Sequence, residues 1–207
     1  MNEWCALFTK RDFWVSRLKG SQVTTAMKAF LISLFALVLL AGLSGCSYTP
    51  TGDMNQIQVA IYTPDCVDVL DASMASGANL QIYPCGAGKL SQEWTIKPVN
   101  NGTQYQIING NSLMCMSVAS NPDTAPGQFV VQYPCVSDNS QPNQLWTIVA
   151  APSGEAGSRI VSVASGQCLD LPYGAVASID TLQQYYCDSN DPAQGWVVNG
   201  VTKGSTP

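Results

Sequence analysis

Cysteine is the residue type that offers this chain of 207 residues the most chemistry, since the sequence contains eight cysteines and no histidine. The lack of histidine excludes a Ser-His-Asp triad, a Cys-His pair and a histidine-ligated metal. Six of the cysteines form pairs whose members are 19, 20 and 19 residues apart. Six cysteines allow fifteen pairings, but the repetition predicts three local disulfides: Cys66–Cys85, Cys115–Cys135 and Cys168–Cys187. Each closed loop would contribute about 3 kcal/mol to stability.

Glutamine, tryptophan and tyrosine recur with the same period as the cysteines. A Gln-x-Trp motif follows each cysteine pair, at Gln92–Trp94, Gln144–Trp146 and Gln194–Trp196. A tyrosine stands two residues before the second cysteine of each pair, at Tyr83, Tyr133 and Tyr185. These markers divide the chain into three repeats of about 50 residues, and repeats of this length indicate a solenoid, a propeller or a pseudo-threefold fold.

Within each repeat, the order of side chains is typical of β-strands. Apolar and polar residues alternate in segments such as Ile57–Ile61 and Val161–Val163, which is the period of a half-buried strand. Clusters rich in glycine, asparagine and proline, such as Asn109–Asn111, lie between these segments and favour turns. No segment after residue 46 has a helical period over ten residues. The sequence therefore predicts an all-β chain.

Charge is distributed unevenly along the chain. Residues 1–45 carry a net charge of +3, whereas residues 46–207 carry −8, with four basic residues against twelve carboxylates. A strongly acidic domain is a poor partner for the phosphate backbone of nucleic acids. It is equally poor at binding anionic lipid through charge alone. We therefore expect no nucleic-acid partner.

The N-terminal region has the features of an export signal. Met27-Lys28 precedes an apolar segment at residues 29–43, which is shorter than the ~20 residues of a transmembrane helix. The next residues, Leu43 to Cys46, resemble a bacterial lipobox, and this resemblance implies cleavage before Cys46 and lipidation of its sulfur. A plain signal peptide that happens to contain a cysteine is the alternative. Ser47 after the lipidated cysteine implies the outer membrane of a Gram-negative bacterium.

These features predict four segments. Residues 1–45 are an N-terminal extension and signal peptide, with the true start at Met27 or, alternatively, with a long region before the apolar segment. Residues 46–55 are the lipidated cysteine and a short linker. Residues 56–201 form the repeat domain, and residues 202–207 are a C-terminal tail. Membrane attachment through the N-terminal lipid is therefore expected.

The three repeats resemble the ricin B-chain type lectin family, from Gln56 to roughly Val201. The resemblance is carried by three Gln-x-Trp motifs at a matched period, each linked to a cysteine pair. It implies a β-trefoil in which six strands form a barrel and six form a cap. It also implies that Trp94, Trp146 and Trp196 fill a shared core.

The resemblance further implies a sugar site in each complete repeat. An aspartate two residues after the first cysteine accepts bonds from hydroxyls, and a glutamine thirteen residues later lines the pocket. The aromatic residue two positions beyond packs on the C–H face of the sugar. An asparagine and the Gln of Gln-x-Trp complete the site. In the first repeat these positions hold Asp68, Gln81, Tyr83, Ser91 and Gln92; in the third they hold Asp170, Gln183, Tyr185 and Gln194.

The repeats depart from this pattern to different degrees. Ser91 replaces the asparagine of the first repeat, and Ala193 replaces that of the third. The second repeat retains Tyr133, Asn143 and Gln144, but Ser117 and Val131 replace the aspartate and the pocket glutamine. We expect a weaker or lost site there. An alternative is that the aspartates only cap turns and that the tyrosines are half-buried strand residues.

The function predicted from these features is carbohydrate binding without catalysis. The chain would be a lectin lipoprotein of the cell envelope that binds galactose-like or other hexose units of a glycan, with no cofactor and no metal. The alternative is a docking or host-attachment subunit of a bacterial toxin, since cytolethal distending toxin contains lectin-like subunits with a lipobox. A glycosidase needs two carboxylates at a defined separation, and no motif in the sequence identifies such a pair.

Overall fold

A computed structural model describes residues 54–61, 65–119, 124–153, 156–174 and 181–198. The predicted extension, the lipidation site Cys46 and the C-terminal tail lie outside the described residues. Within the described ranges, no helix has the length and apolar character required to cross a membrane.

Twelve strands and six short 3-10 turns make up the described part of the chain, which contains no α-helix. The prediction of an all-β chain is therefore confirmed. The first strand begins at Met54, two residues before the expected start of the domain at 56. The strands are β1 Met54–Val59, β2 Asp65–Val69, β3 Leu80–Pro84, β4 Glu93–Val99, β5 Gln104–Asn109, β6 Cys115–Val118, β7 Gln128–Tyr133, β8 Trp146–Ala150, β9 Ser158–Ser162, β10 Cys168–Asp170, β11 Gln183–Tyr185 and β12 Trp196–Val198.

Six of these strands close into a barrel. In the order β1, β4, β5, β8, β9 and β12, each strand pairs antiparallel with the next, and β12 pairs with β1. Closing the sheet removes the free edges at which strands of other chains could add. Each repeat contributes its first and last strands to this barrel.

The other six strands form three hairpins that cap one end of the barrel: β2–β3, β6–β7 and β10–β11. The hairpins contact one another through the β7–β11 pairing and through the bridges Asn79–Val131 and Gln81–Thr181. The predicted β-trefoil is therefore confirmed.

The three tryptophans lie in one hydrophobic core, and each is 0% exposed. A buried indole N–H needs an acceptor, and each repeat supplies one at the same place. Nε1 of Trp94 donates to Val67 O at 2.9 Å, and Nε1 of Trp146 donates to Met116 O at 3.0 Å. Nε1 of Trp196 donates to Leu169 O at 3.0 Å. Each acceptor belongs to a cap hairpin, so every tryptophan joins the barrel of its repeat to its cap.

All three predicted disulfides are present. Cys66–Cys85, Cys115–Cys135 and Cys168–Cys187 join residues whose Cα atoms are 5.0, 5.0 and 5.1 Å apart. Each bond links the first strand of a cap hairpin to the segment directly after that hairpin's second strand. The disulfides therefore hold the hairpins that carry the candidate site residues.

Candidate functional site

The first cap hairpin brings the predicted residues of the first repeat together. Asp68 on β2 pairs directly with Gln81 on β3, and Tyr83 lies two residues farther along, on the same face of its strand. All three side chains line an open cleft of about 530 Å³, together with Ser91. Tyr83 is 39% exposed, whereas Asp68 and Gln81 are 6% and 5% exposed and lie deep in the cleft.

Two oxygen atoms in this cleft have unused hydrogen-bonding capacity. Asp68 Oδ1 and Gln81 Oε1 are buried, and neither has a hydrogen-bond partner among the residues that the structure describes. Buried polar atoms are nearly always bonded, because leaving one unpaired costs free energy. Both atoms are hydrogen-bond acceptors, and because both are buried, a hydroxyl-bearing ligand reaches them only when a neighbouring side chain of the cleft moves aside.

Gln92 is buried beneath the cleft and holds Asp68 in place. Its Nε2 donates to Asp68 Oδ2 at 3.3 Å and to Pro84 O at 3.2 Å. Its Oε1 accepts from Gly86 N at 2.8 Å. Gln92 is 0% exposed, so it acts through Asp68 and the backbone rather than on a ligand.

The corresponding glutamines of the other repeats make the same backbone contacts. Gln144 bonds Val136 N and Pro134 O, each at 3.0 Å. Gln194 bonds Asp188 N at 3.0 Å and Tyr186 O at 2.9 Å. The Gln of Gln-x-Trp is therefore first a structural residue, and it positions an aspartate only where the repeat has one.

The third repeat has the same constellation, but its aspartate is already bonded. Asp170 Oδ2 accepts from Gln183 Nε2 at 2.6 Å, and Oδ1 accepts from Gln194 Nε2 at 3.1 Å. Burial raises the pKa of Asp170, and the nearby charge of Asp191 adds to this, although the two amide bonds oppose it. Tyr185 is half-exposed, as Tyr83 is. Ala193 is buried and has no polar side chain to offer.

The second repeat lacks the aspartate and the glutamine that line the bottom of the first cleft. Ser117 is fully buried, and its hydroxyl donates to Cys115 O at 3.0 Å. Val131 lies opposite it, in place of the pocket glutamine. Asn143 is nearly buried and donates through Nδ2 to Val118 O at 3.0 Å, while the hydroxyl of Tyr133 donates to Ala119 O at 3.4 Å. Asn143 Oδ1 has no hydrogen-bond partner among the described residues, but no carboxylate faces these retained residues from position 117.

A family comparison accounts for this threefold arrangement. The family model for the ricin-type β-trefoil lectin domain matches residues 54–196. The chain belongs to this family. None of the curated proteins matches the sequence.

Solved ricin-type and related trefoils have the same fold. The designed three-fold symmetric protein ThreeFoil is 23% identical, with a TM-score of 0.62 over 70% of this chain and 96% of its own. The Rhizoctonia solani agglutinin is 22% identical, with a TM-score of 0.59 over 74% and 98%. The Polyporus squamosus lectin, solved with the epitope Neu5Acα2-6Galβ1-4GlcNAc, is 19% identical, with a TM-score of 0.58 over 73% and 50%. At these identities the likeness establishes the fold alone.

Three polar residues of the first cleft were missed by the repeat pattern: Asp71, Lys89 and Asn111. Asp71 has a φ of 57° in the turn that follows β2. Asn111 belongs to the second repeat, and its Nδ2 donates to Ala72 O at 3.1 Å. A motif that is confined to one repeat cannot reveal a cleft residue that the next repeat contributes.

Two buried glutamines were also missed, although the sequence carries a signal for them. Gln132 and Gln184 each stand one residue before the repeated tyrosine. Gln132 Nε2 donates to Ser73 O at 2.8 Å and to Ala75 O at 2.9 Å, and Gln184 Nε2 donates to Ala125 O at 2.9 Å. Both join neighbouring repeats.

Within the described ranges, no three histidine, cysteine, aspartate or glutamate side chains are grouped so that they could hold a metal ion.

Proposed function

We propose that this chain is a lectin without catalytic activity, and that its main sugar site is the cleft of the first repeat. The ligand is a galactose-like or other hexose unit of a glycan. The observation that carries this proposal is the pair of buried acceptors, Asp68 Oδ1 and Gln81 Oε1, beside the half-exposed ring of Tyr83. Hydroxyl donors next to a C–H face are the chemistry that complements such a cleft.

Binding in this cleft uses each group in a different way. A sugar hydroxyl donates to Asp68 Oδ1, and its bond to a charged acceptor is stronger than a neutral one. A second hydroxyl donates to Gln81 Oε1. The C–H face of the ring packs on Tyr83. Gln92 keeps Asp68 from turning away, because it bonds Oδ2. Nothing in this scheme requires a proton to move.

We expect the third repeat to bind the same ligand more weakly than the first. Both oxygens of Asp170 already accept an amide bond, so a ligand there adds bonds to satisfied atoms. In the first repeat, a ligand bonds to Asp68 Oδ1 and Gln81 Oε1, which have no other hydrogen-bond partner in the described part of the chain. The second repeat is expected to bind weakly or not at all, because Ser117 and Val131 replace the carboxylate and the pocket glutamine of the first cleft.

A glycan array tests the proposal. The full chain is produced by export so that its disulfides form, and it is applied in mild detergent. We expect a defined signal on glycans that end in galactose or another hexose. A blank array from a chain that shows cooperative thermal unfolding contradicts the proposal and favours the toxin-docking alternative.

We also propose that the chain is exported and anchored to the cell envelope through a lipid on Cys46. The support is the apolar segment at residues 29–43 followed by Leu43 to Cys46. Metabolic labelling with a radioactive fatty acid should mark the wild-type chain and should leave Cys46→Ala unlabelled. Equal labelling of both chains would contradict lipidation at Cys46.

A further inference from the structure

The side chain of Lys89 is folded back into the first cleft. Its Nζ lies 5.0 Å from the ring centroid of Tyr83. Its aliphatic carbons run across Gly86, since a Cβ atom added to this glycine would be 2.5 Å from Lys89 Cε and 2.6 Å from Cδ. The glycine thus leaves the space that the lysine occupies. Lys89 also lines the cleft, together with Asp68 and Gln81.

The stability of the local turn does not explain this lysine. Lys89 is the N-cap of the 3-10 turn Leu90–Gln92, and its side chain makes no capping bond. Asp191 occupies the corresponding position of the third repeat and accepts a bond from Ala193 N at 2.9 Å. Side chains with acceptor oxygens are preferred at an N-cap, and a positive charge is unfavourable at that end of a helical turn.

The first cleft contains several acceptor oxygens. Asp68 Oδ1 and Gln81 Oε1 have no partner in the described part of the chain, and the carboxylate of Asp71 also lines the cleft. Ser91, which replaces the family's asparagine, is itself nearly buried. The hydroxyl groups of a hexose accept hydrogen bonds as well as donate them, so a ligand in this cleft also uses a donor.

The ammonium of Lys89 is suited to be that donor. It carries three N–H groups. The ring of Tyr83 is its one close partner within the described ranges, because the ammonium makes no hydrogen bond or ion pair there. It lies over the face of the Tyr83 ring, so a hexose that packs on this face moves the ammonium to its own edge, where an N–H can donate to a sugar oxygen.

We infer that Lys89 determines the specificity of the first cleft by donating to an acceptor oxygen on the edge of the bound hexose. This inference rests on the proposed lectin function and deepens it. The acceptor is either a hydroxyl of a neutral hexose or the carboxylate of the related uronic acid. Only the first repeat has this donor, since the corresponding residues elsewhere are Gln141 and Asp191.

Calorimetric titration of three variants tests the inference. The probes are the hexose with the strongest array signal and the uronic acid of the same configuration. Lys89→Met keeps most of the length of the side chain and removes its donors. Gly86→Ala keeps the charge but displaces the side chain from its present position. Lys97→Met is the matched control, because Lys97 is an exposed lysine of β4 that does not line the cleft.

We expect Lys89→Met to weaken binding of at least one probe about tenfold, or about 1.4 kcal/mol. We expect Gly86→Ala to have a smaller effect in the same direction and Lys97→Met to have none. A loss confined to the uronic acid identifies a carboxylate partner, and a loss for both probes identifies a hydroxyl. Unchanged affinity of Lys89→Met for both probes overturns the inference while leaving the lectin proposal intact. A wild-type chain that binds neither probe overturns both.

Discussion

Replacing Asp68 with asparagine should lower the affinity of the chain for its glycan at least 100-fold at the first repeat. Gln92 Nε2 donates to Asp68 Oδ2, and the asparagine carbonyl will take over this bond. The amide NH₂ then occupies the place of Oδ1, so a donor faces the sugar hydroxyl. Bonds to charged groups contribute about 1.5–3 kcal/mol each, and a loss of about 2.7 kcal/mol is a factor of 100.

Surface plasmon resonance on the immobilised glycan measures this loss, and circular dichroism during heating checks that the fold is retained. Asp138→Asn is the matched control, since it makes the same change of charge at an exposed aspartate in the turn after the second disulfide. We expect that control to bind like the wild type. Wild-type affinity in Asp68→Asn would contradict the assignment of the site to this carboxylate. Loss of binding together with loss of cooperative unfolding would require the milder variant Tyr83→Leu to be measured instead.

Replacing Trp146 with alanine should lower the free energy of unfolding by about 3–5 kcal/mol, the range found for large aromatic residues removed from a core. The side chain is 0% exposed and belongs to the hydrophobic core that the three repeats share. Its removal also leaves Met116 O without the indole donor that bonds it at 3.0 Å. A core shared by three repeats cannot collapse around the space without moving all of them.

Denaturant unfolding with the disulfides intact measures this free energy. Trp146→Phe keeps much of the volume and loses the hydrogen bond, so its loss should be smaller, about 1–3 kcal/mol. Val149→Ala, at an exposed position of the same strand, should stay within about 0.5 kcal/mol of the wild type. A loss below about 1 kcal/mol in Trp146→Ala would mean that the tryptophan does not support the core. Because the second repeat has no proposed site, the folded variant should keep its glycan affinity.

Much of the fold could be predicted from the sequence because its markers are local and repeated. Each cysteine pair spans one hairpin, and a Gln-x-Trp motif follows each pair at a similar distance. The three copies therefore support the same assignment of repeat boundaries. The β-strand pattern and the disulfide pairing follow from spacing alone. The trefoil itself required the family resemblance, because alternation cannot distinguish a closed barrel from other all-β arrangements.

The candidate site was only partly predictable. The family resemblance placed Asp68 with Gln81 and Asp170 with Gln183, and both pairs have the same separation because cross-strand neighbours lie at fixed offsets within a hairpin. It did not distinguish the two aspartates. Their hydrogen bonds depend on side-chain rotamers, and these leave the buried Asp68 Oδ1 without a partner while both oxygens of Asp170 are bonded.

The amino-acid sequence by itself determined the number of repeats, their disulfides and the two repeats that keep a carboxylate. These properties depend on residue type and on distance along the chain. Only the tertiary structure decided what surrounds each carboxylate. Asn111 reaches the first cleft from the next repeat, and Lys89 lies across Gly86 toward Tyr83. Such contacts join residues whose separation follows no repeat, because they form only when the cap hairpins pack together.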